Sequence, residues 1–319
     1  MQSVSKKHSR SEFYGIYENL VDYFEFLQTE YGYPSLHDQF YWDEVDSDGL
    51  KLHLDVYEHH PKAPTIVFIP GTAIYAMCYG EMLYKLGEAG YNVVGFDPRG
   101  HGRSQGVRGD YTIAEIMTDA RNVISYAIRK FNKKVSLMGS SQGGIVTFYV
   151  AAVEDRIQSA VCHTFADLAH QESVRLTRYP NLSSVLRPWI ANFGGVFSDT
   201  QIPIGMYLDL DSVEVKYFGS ASKFIESNPL ALKTISLRAL RSLAHTPLPK
   251  PVEQITTPVM VFQGTADSIF PMDYTQKIYD QLICKKKIHF FEGLNHALNT
   301  EDVSVILKPV LNWLKEIYK

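Results

Sequence analysis

The stretch Gly139-Ser140-Ser141-Gln142-Gly143 sets two adjacent hydroxyls between glycines. A nucleophilic serine held in a very tight strand-to-helix turn has strained backbone geometry, so the residues two before and two after it must be small. For Ser141 those residues are Gly139 and Gly143; for Ser140 they would be Met138 and Gln142, which are too bulky. The run "VSLM" before the pair reads as strand and "GIVTFYVAAVE" after it as helix. Ser141 is therefore expected to be a nucleophile and Ser140 a spacer. The competing reading is a glycine turn that only lets the helix approach the sheet.

A serine hydroxyl is inert at neutral pH without a base, and the base needs an acid to orient it. Elbow sites carry these partners in the chain order Ser, then Asp or Glu, then His. "PVMVFQGTADSIFP" puts Asp267 in the loop after one strand, and "KKIHFFEGLNHAL" puts His296 in the loop after the next. Parallel strands would bring both loops to the edge that carries Ser141. His289 lies inside a strand and His245 in an insertion that carries no clean predicted strand, so neither is placed for this role. Asp273 and Glu292 are expected to be structural.

Acyl chemistry also needs two backbone N–H groups aimed at the developing oxyanion. One is expected from Gln142, directly after the nucleophile. The other is expected from "IPGTAIY", where Pro70-Gly71-Thr72 lets the backbone turn sharply at a strand end; Thr72 is the first choice, with Ala73 behind it. The stretch "GFDPRGHGRSQG" lacks a complete G-x-G-x-x-G and opens no helix, so it is no dinucleotide fingerprint. Asp97, Arg99 and Ser104 are expected to knit that loop together.

These residues need a sheet to hold them. Short apolar runs at 65–70, 91–97, 134–139, 156–162, 258–264 and 286–293 alternate with helical patterns near 75–89, 112–131, 142–154, 272–283 and 301–318. Such near-continuous apolar strands indicate a mostly parallel sheet covered on both faces. Asp48-Gly49 between two strand-like runs is a hairpin signal. From His163 to Gln254 no clean strand is predicted, prolines recur at 180, 188, 203, 229, 247, 249 and 251, and one helix is expected through "PLALKTISLRALRSLA". An insertion there would sit over the carboxyl ends of the strands, where ligands bind. Its aromatics, Phe165, Tyr179, Trp189, Phe193, Phe197, Tyr207, Phe218 and Phe224, would form either its own small core or an apolar acyl pocket.

The expected organisation is an N-terminal extension over 1–39, an α/β core over 40–162 and 255–319, and a helical lid over 163–254. Apolar positions 13, 16, 17, 20, 24 and 27 are spaced for an N-terminal helix. Its polar face carries Glu12, Glu18, Asp22, Glu25 and Glu30, the wrong sign for anionic lipid, so docking on the body or at a homodimer contact is expected.

The chain has 319 residues and a net charge of −4, with no basic stripe, which argues against a nucleic-acid partner. The run Lys285–Lys287 is expected on a solvated strand edge. Three cysteines, Cys78, Cys162 and Cys284, without C-x-x-C spacing fit reduced thiols in a cytoplasmic protein. Residues 1–10 do not read as a signal peptide, and no run is long and apolar enough for stable membrane insertion.

Taken in order, "PGTA", "DPRGHGRS", "GSSQG", "GTAD" and "GLNH" resemble the α/β-hydrolase superfamily, most of all its serine esterase and lysophospholipase/monoacylglycerol-lipase branch. The resemblance runs over roughly residues 40–319. It implies hydrolysis of a small-molecule acyl ester by Ser141, His296 and Asp267, with Thr72 and Gln142 at the oxyanion, and no metal or organic cofactor. Family members usually carry His where this chain has Pro70. Gln142 stands where many lipase-like relatives carry Met or His, and is similar to some cinnamoyl (feruloyl) esterases. Thioester, lactone or peptide hydrolysis, acyl transfer, and a ligand receptor on the same scaffold stay open.

Overall fold

A computed structural model describes residues 28, 36, 39–193, 195, 197–215, 218–298 and 303–319. The expected N-terminal helix over 13–27 lies outside the described residues. The main sheet has eight strands: β1 (Tyr41–Ser47), β2 (Leu50–Tyr57), β3 (Thr65–Ile69), β4 (Asn92–Phe96), β5 (Val135–Ser140), β6 (Ser159–His163), β7 (Val259–Gly264) and β8 (Lys286–Phe291). Their spatial order is β1-β2-β4-β3-β5-β6-β7-β8. The pairs β1–β2 and β2–β4 are antiparallel, and the other main-sheet pairs are parallel. The hairpin expected at Asp48-Gly49 joins β1 to β2; both residues take positive φ, the geometry of a two-residue hairpin turn.

Every residue of β3, β4, β5, β6 and β7 is buried. Helices on both faces explain why these strands read as apolar runs rather than as alternating ones. One face packs on α1 (Gly80–Glu88) and α8 (Val303–Ile317), through Met82, Leu83, Leu86, Ile306 and Trp313. The other packs on α2 (Ile113–Lys130), α3 (Gln142–Ala151) and α7 (Met272–Gln281), through Ile116, Val123, Val146, Phe148 and Ile278. β8 is the outer strand and opens with Lys286 and Lys287, charges that discourage pairing with a further strand.

Between β6 and β7 the chain leaves the sheet. It forms α4 (Pro180–Phe193), α5 (Ala221–Ser227), α6 (Leu237–His245) and a small ribbon in which Gln201–Pro203 pairs antiparallel with Thr234–Ser236. One expectation is corrected here. The helix read through 229–244 begins only at Leu237: Thr234 and Ile235 are spent on the ribbon, and Ser236 caps α6 by accepting the Ala239 N–H at 3.0 Å. Of the prolines in this segment, Pro180 starts α4 and Pro188 lies within it.

Candidate active site

β5 ends at Ser140 and α3 begins at Gln142, leaving Ser141 alone in the turn at φ 55, ψ −121. A serine at positive φ costs about 1–3 kcal/mol and persists only where its surroundings enforce it. The surroundings here are close backbone. A Cβ at Gly139 would fall on the Gly143 carbonyl, and one at Gly143 on the carbonyls of Ile69 and Pro70. Ser141 donates its N–H to the His163 carbonyl at 2.9 Å and accepts at its own carbonyl from Ile145 at 3.0 Å. The spacing argument from sequence thus has its physical cause in the crossing of β3, β5 and α3.

Asp267 leaves the carboxyl end of β7, and His296 follows β8. His296 Nδ1 donates to Asp267 Oδ2 at 2.8 Å, and His296 Nε2 lies 2.9 Å from Ser141 Oγ. The carboxylate can only accept, so Nδ1 carries the proton and Nε2 offers its lone pair to the serine. Asp267 Oδ1 accepts N–H bonds from Ile269 at 2.9 Å and Phe270 at 2.8 Å, which fix the carboxylate before it meets the histidine. Burial pushes its pKa up, but His296 and the Phe270 N–H outweigh burial and leave it below the ordinary Asp value. Phe270 stacks flat on the His296 ring at 5.4 Å. A Cβ on Gly264 would fall on the Leu294 carbonyl, so the acid and histidine loops touch through bare backbone. The structure therefore brings Ser141, His296 and Asp267 into one hydrogen-bonded row.

Thr72 and Gln142 meet from opposite sides of the turn. Gln142 Oε1 accepts from Thr72 Oγ1 at 3.0 Å and from the buried Tyr111 hydroxyl at 3.0 Å. The backbone N–H groups of both residues are left without a hydrogen-bond partner among the described residues. Ala73, next to Thr72, holds φ 70, and its carbonyl accepts the Leu232 N–H at 2.8 Å. The segment between β6 and β7 thereby touches the loop that carries Thr72.

Sequence reasoning missed Tyr111, His163 and the role of Ser140. Tyr111 precedes α2 in a loop with no motif to mark it. His163 ends β6, one residue beyond the predicted strand, and its Nδ1 lies 2.7 Å from Ser140 Oγ. A histidine closing a strand on the edge that carries the elbow was the available signal. His163, Asp267 and His296 are also the one group among the described residues whose polar atoms, all within 4.8 Å, could share a cation; Asp267 and His296 already spend facing atoms on each other.

The residues set aside from the reacting set are placed as follows. Asp97 accepts the N–H of Ala76 and of Arg103, each at 2.9 Å, and Ser104 donates to its carbonyl. Asp273 pairs with Arg175 at 2.8 Å, His245 bonds the Arg187 carbonyl at 3.0 Å, His289 stays in β8 and Glu292 is exposed. The aromatics between β6 and β7 divide. Phe165 is buried, Tyr207, Phe218 and Phe224 pack against the core, and Tyr179, Trp189 and Phe197 are exposed. The Phe193 side chain lies outside the described residues. No helix among the described residues is long and apolar enough to cross a membrane.

The family model described as serine aminopeptidase, S33, matches residues 60–302. The chain is 26% identical over 279 residues to a monoacylglycerol lipase of Mycolicibacterium smegmatis, covering 83% of this chain and 93% of that one. Among solved structures it is similar to a monoacylglycerol lipase of Paleococcus ferrophilus, with TM-score 0.66, 22% identity, and coverage of 83% and 99%. It is also similar to Est1E of Butyrivibrio proteoclasticus, solved with ferulic acid, with TM-score 0.62, 20% identity, and coverage of 86% and 99%.

Proposed function

The chain belongs to the serine aminopeptidase S33 family, within the monoacylglycerol-lipase-like part of the α/β-hydrolase superfamily, and on that premise we propose that it cleaves a carboxylic ester through Ser141, His296 and Asp267. The observation that carries this reading is His296 lying between Asp267 Oδ2 at 2.8 Å and Ser141 Oγ at 2.9 Å, with its lone pair toward the serine. His296 takes the Ser141 proton as Oγ attacks the ester carbonyl. The N–H groups of Gln142 and Thr72 hold the resulting oxyanion. The tetrahedral intermediate collapses, His296 returns the proton to the departing alcohol, and an acyl-enzyme remains. Water, giving its proton to His296, attacks that acyl group and frees the acid. Asp267 keeps the imidazole in one tautomer and stabilises its charged form.

Residues 163–254 serve as a lid over the carboxyl edge, a role supported by the contact of Leu232 with Ala73. The substrate class is an acyl ester of the lysophospholipid or monoacylglycerol kind, and similarity to monoacylglycerol lipases supports the second. The test is turnover of p-nitrophenyl esters of increasing chain length, with fluorophosphonate labelling, by wild type, Ser141→Ala and Ser140→Ala. Turnover should fall on the order of 10⁴-fold or more in Ser141→Ala. Labelling should vanish with it and persist in Ser140→Ala. A wild type that neither turns over ester nor takes the probe would sink the reading and leave a ligand receptor. Turnover of thioester or peptide in place of ester would keep the site and change the bond.

A further inference from the structure

His163 takes no part in the reaction proposed above, yet it lies directly against the residues that do. Its register neighbours are Ser140 on β5 and Phe262 on β7. Its carbonyl holds the Ser141 N–H at 2.9 Å, and the next residue, Thr164, donates to the Phe262 carbonyl at 3.1 Å. Thr164 sits at φ 61, a genuine outlier for a β-branched residue, and its carbonyl and that of His163 leave Gly144 no room for a side chain. Strain of this kind persists where several elements over-determine a position. The His163 ring stacks on Phe262 at 5.3 Å and lies 5.2 Å from the His296 ring. Polar atoms of His163, Asp267 and His296 all fall within 4.8 Å of one another.

A row of hydrogen bonds reaches this ring from the other side of the site. Gly71 donates its N–H to the Tyr79 hydroxyl at 3.3 Å, Tyr79 bonds Ser140, and Ser140 Oγ lies 2.7 Å from His163 Nδ1. An N–H only donates, so Tyr79 accepts from Gly71, while the Tyr79 and Ser140 hydroxyls can each donate or accept along the row. The Ser140 hydroxyl and His163 Nδ1 share one hydrogen bond of this row, which fixes the plane of the ring. Burial lowers the pKa of His163 to about 3; a charge on His296 opposes protonation further, while Asp267 favours it. The ring is thus neutral at neutral pH and adds no repulsion when His296 becomes an imidazolium. Asp267 after β7 and His296 after β8 are the charged or titratable groups that face it, with Ser140 beside them and Phe262 as the apolar side.

We propose that His163 is a positioning residue: fixed by Ser140 and Tyr79, it braces the Asp267–His296 pair and couples that pair to the loop bearing Thr72. This rests on the reading of Ser141, His296 and Asp267 as the reacting set. Phenylalanine at 163 would keep the stacking and volume and remove the ring nitrogens. Glutamine would keep a polar group able to hydrogen-bond the Ser140 hydroxyl and lose the ring.

The test uses the full chain with p-nitrophenyl butyrate, a fluorophosphonate probe and proton NMR, comparing wild type with His163→Phe, His163→Gln and Ser140→Ala. His163→Phe should lower kcat and the labelling rate by on the order of tenfold, with KM within about twofold, because misplacement rather than binding is at issue. His163→Gln should recover most of that loss, and Ser140→Ala should lose a few-fold in kcat alone. The low-field N–H resonance of the His296–Asp267 bond should broaden in His163→Phe. Unchanged kcat in both His163→Phe and Ser140→Ala would overturn the proposal, as would a glutamine variant no better than phenylalanine. If His163→Phe does not fold, Ser140→Ala decides by the same kcat reading. Should wild type show no turnover and no labelling, the hydrolase reading falls, and the resonance still decides: unchanged in His163→Phe, it overturns this proposal as well.

Discussion

Two adjacent serines with the same side chain do opposite things because the backbone turns between them. Ser140 still belongs to β5 and points its hydroxyl at His163, whereas Ser141 sits at positive φ and meets His296. Gln142 shows a similar division within one residue. Its N–H is proposed for the oxyanion, while its side-chain oxygen holds Thr72 and Tyr111 together. Gln142→Ala would leave the buried Tyr111 hydroxyl unpaired at a cost of about 1–3 kcal/mol. It would also free the Thr72 side chain. The expected outcome is a lower melting temperature, and a fall in kcat on p-nitrophenyl esters with little change in KM. Ester kinetics beside a thermal melt check it, and a KM effect alone would contradict the assigned role.

At the scale of elements, the site depends on how closely strands and helices approach. α3 is buried along its whole length and can lie against β3 and β6 because Gly143 and Gly144 present only hydrogen. Gly143→Ala would drive a methyl group into the Ile69 and Pro70 carbonyls, which are backbone and cannot rotate away. Overpacking of this kind costs about 1–3 kcal/mol or more. The loop carrying Thr72 would shift with it, so esterase activity should fall by more than tenfold, on the order of the loss from a misplaced group. Circular dichroism melts and turnover on the same sample test this; normal activity with normal stability would show that the turn has slack.

The molecule as a whole is tied by buried charge away from the site. Arg99, after β4, donates to Asp119 on α2 at 2.6 Å, and Ser47 at the end of β1 donates to the same carboxylate at 2.7 Å. Glu154, after α3, accepts from Arg156 at 2.7 Å and from Arg121 on α2 at 3.0 Å. The bonds from Arg156, then those from Arg121, hold the Glu154 pKa down at about 2 against burial, from an ordinary 4.5. A carboxylate depressed in the folded state stabilises it above its unfolded pKa, and that contribution drains away as pH falls through the folded value. Urea unfolding midpoints of wild type should therefore exceed those of Glu154→Gln above pH 4.5, and the two should converge as pH approaches 2. A gap that persists at pH 2 would assign the difference to packing instead.

Much of this is legible in the sequence. Strand runs, the Asp48-Gly49 hairpin and the elbow are local: each depends on which residues neighbour one another along the chain, and neighbours constrain φ and ψ directly. Ser141, Asp267 and His296 could be proposed together because parallel strands send their following loops to one edge, a rule that holds without knowing any distance. The segment 163–254 resisted, since Thr234–Ser236 has a helix-compatible sequence and became strand only because Gln201–Pro203 lay beside it. His163, Tyr111 and Tyr79 resisted for the same reason. Their importance lies in hydrogen bonds to residues 23, 31 and 8 positions away, and in the third case to another partner farther still. The sequence by itself determined which residues are candidates to react and the order of the strands' loops along the chain. Only the tertiary structure decided which buried polar groups brace them, because burial raises the cost of an unmade hydrogen bond and so selects partners by proximity in space rather than along the chain.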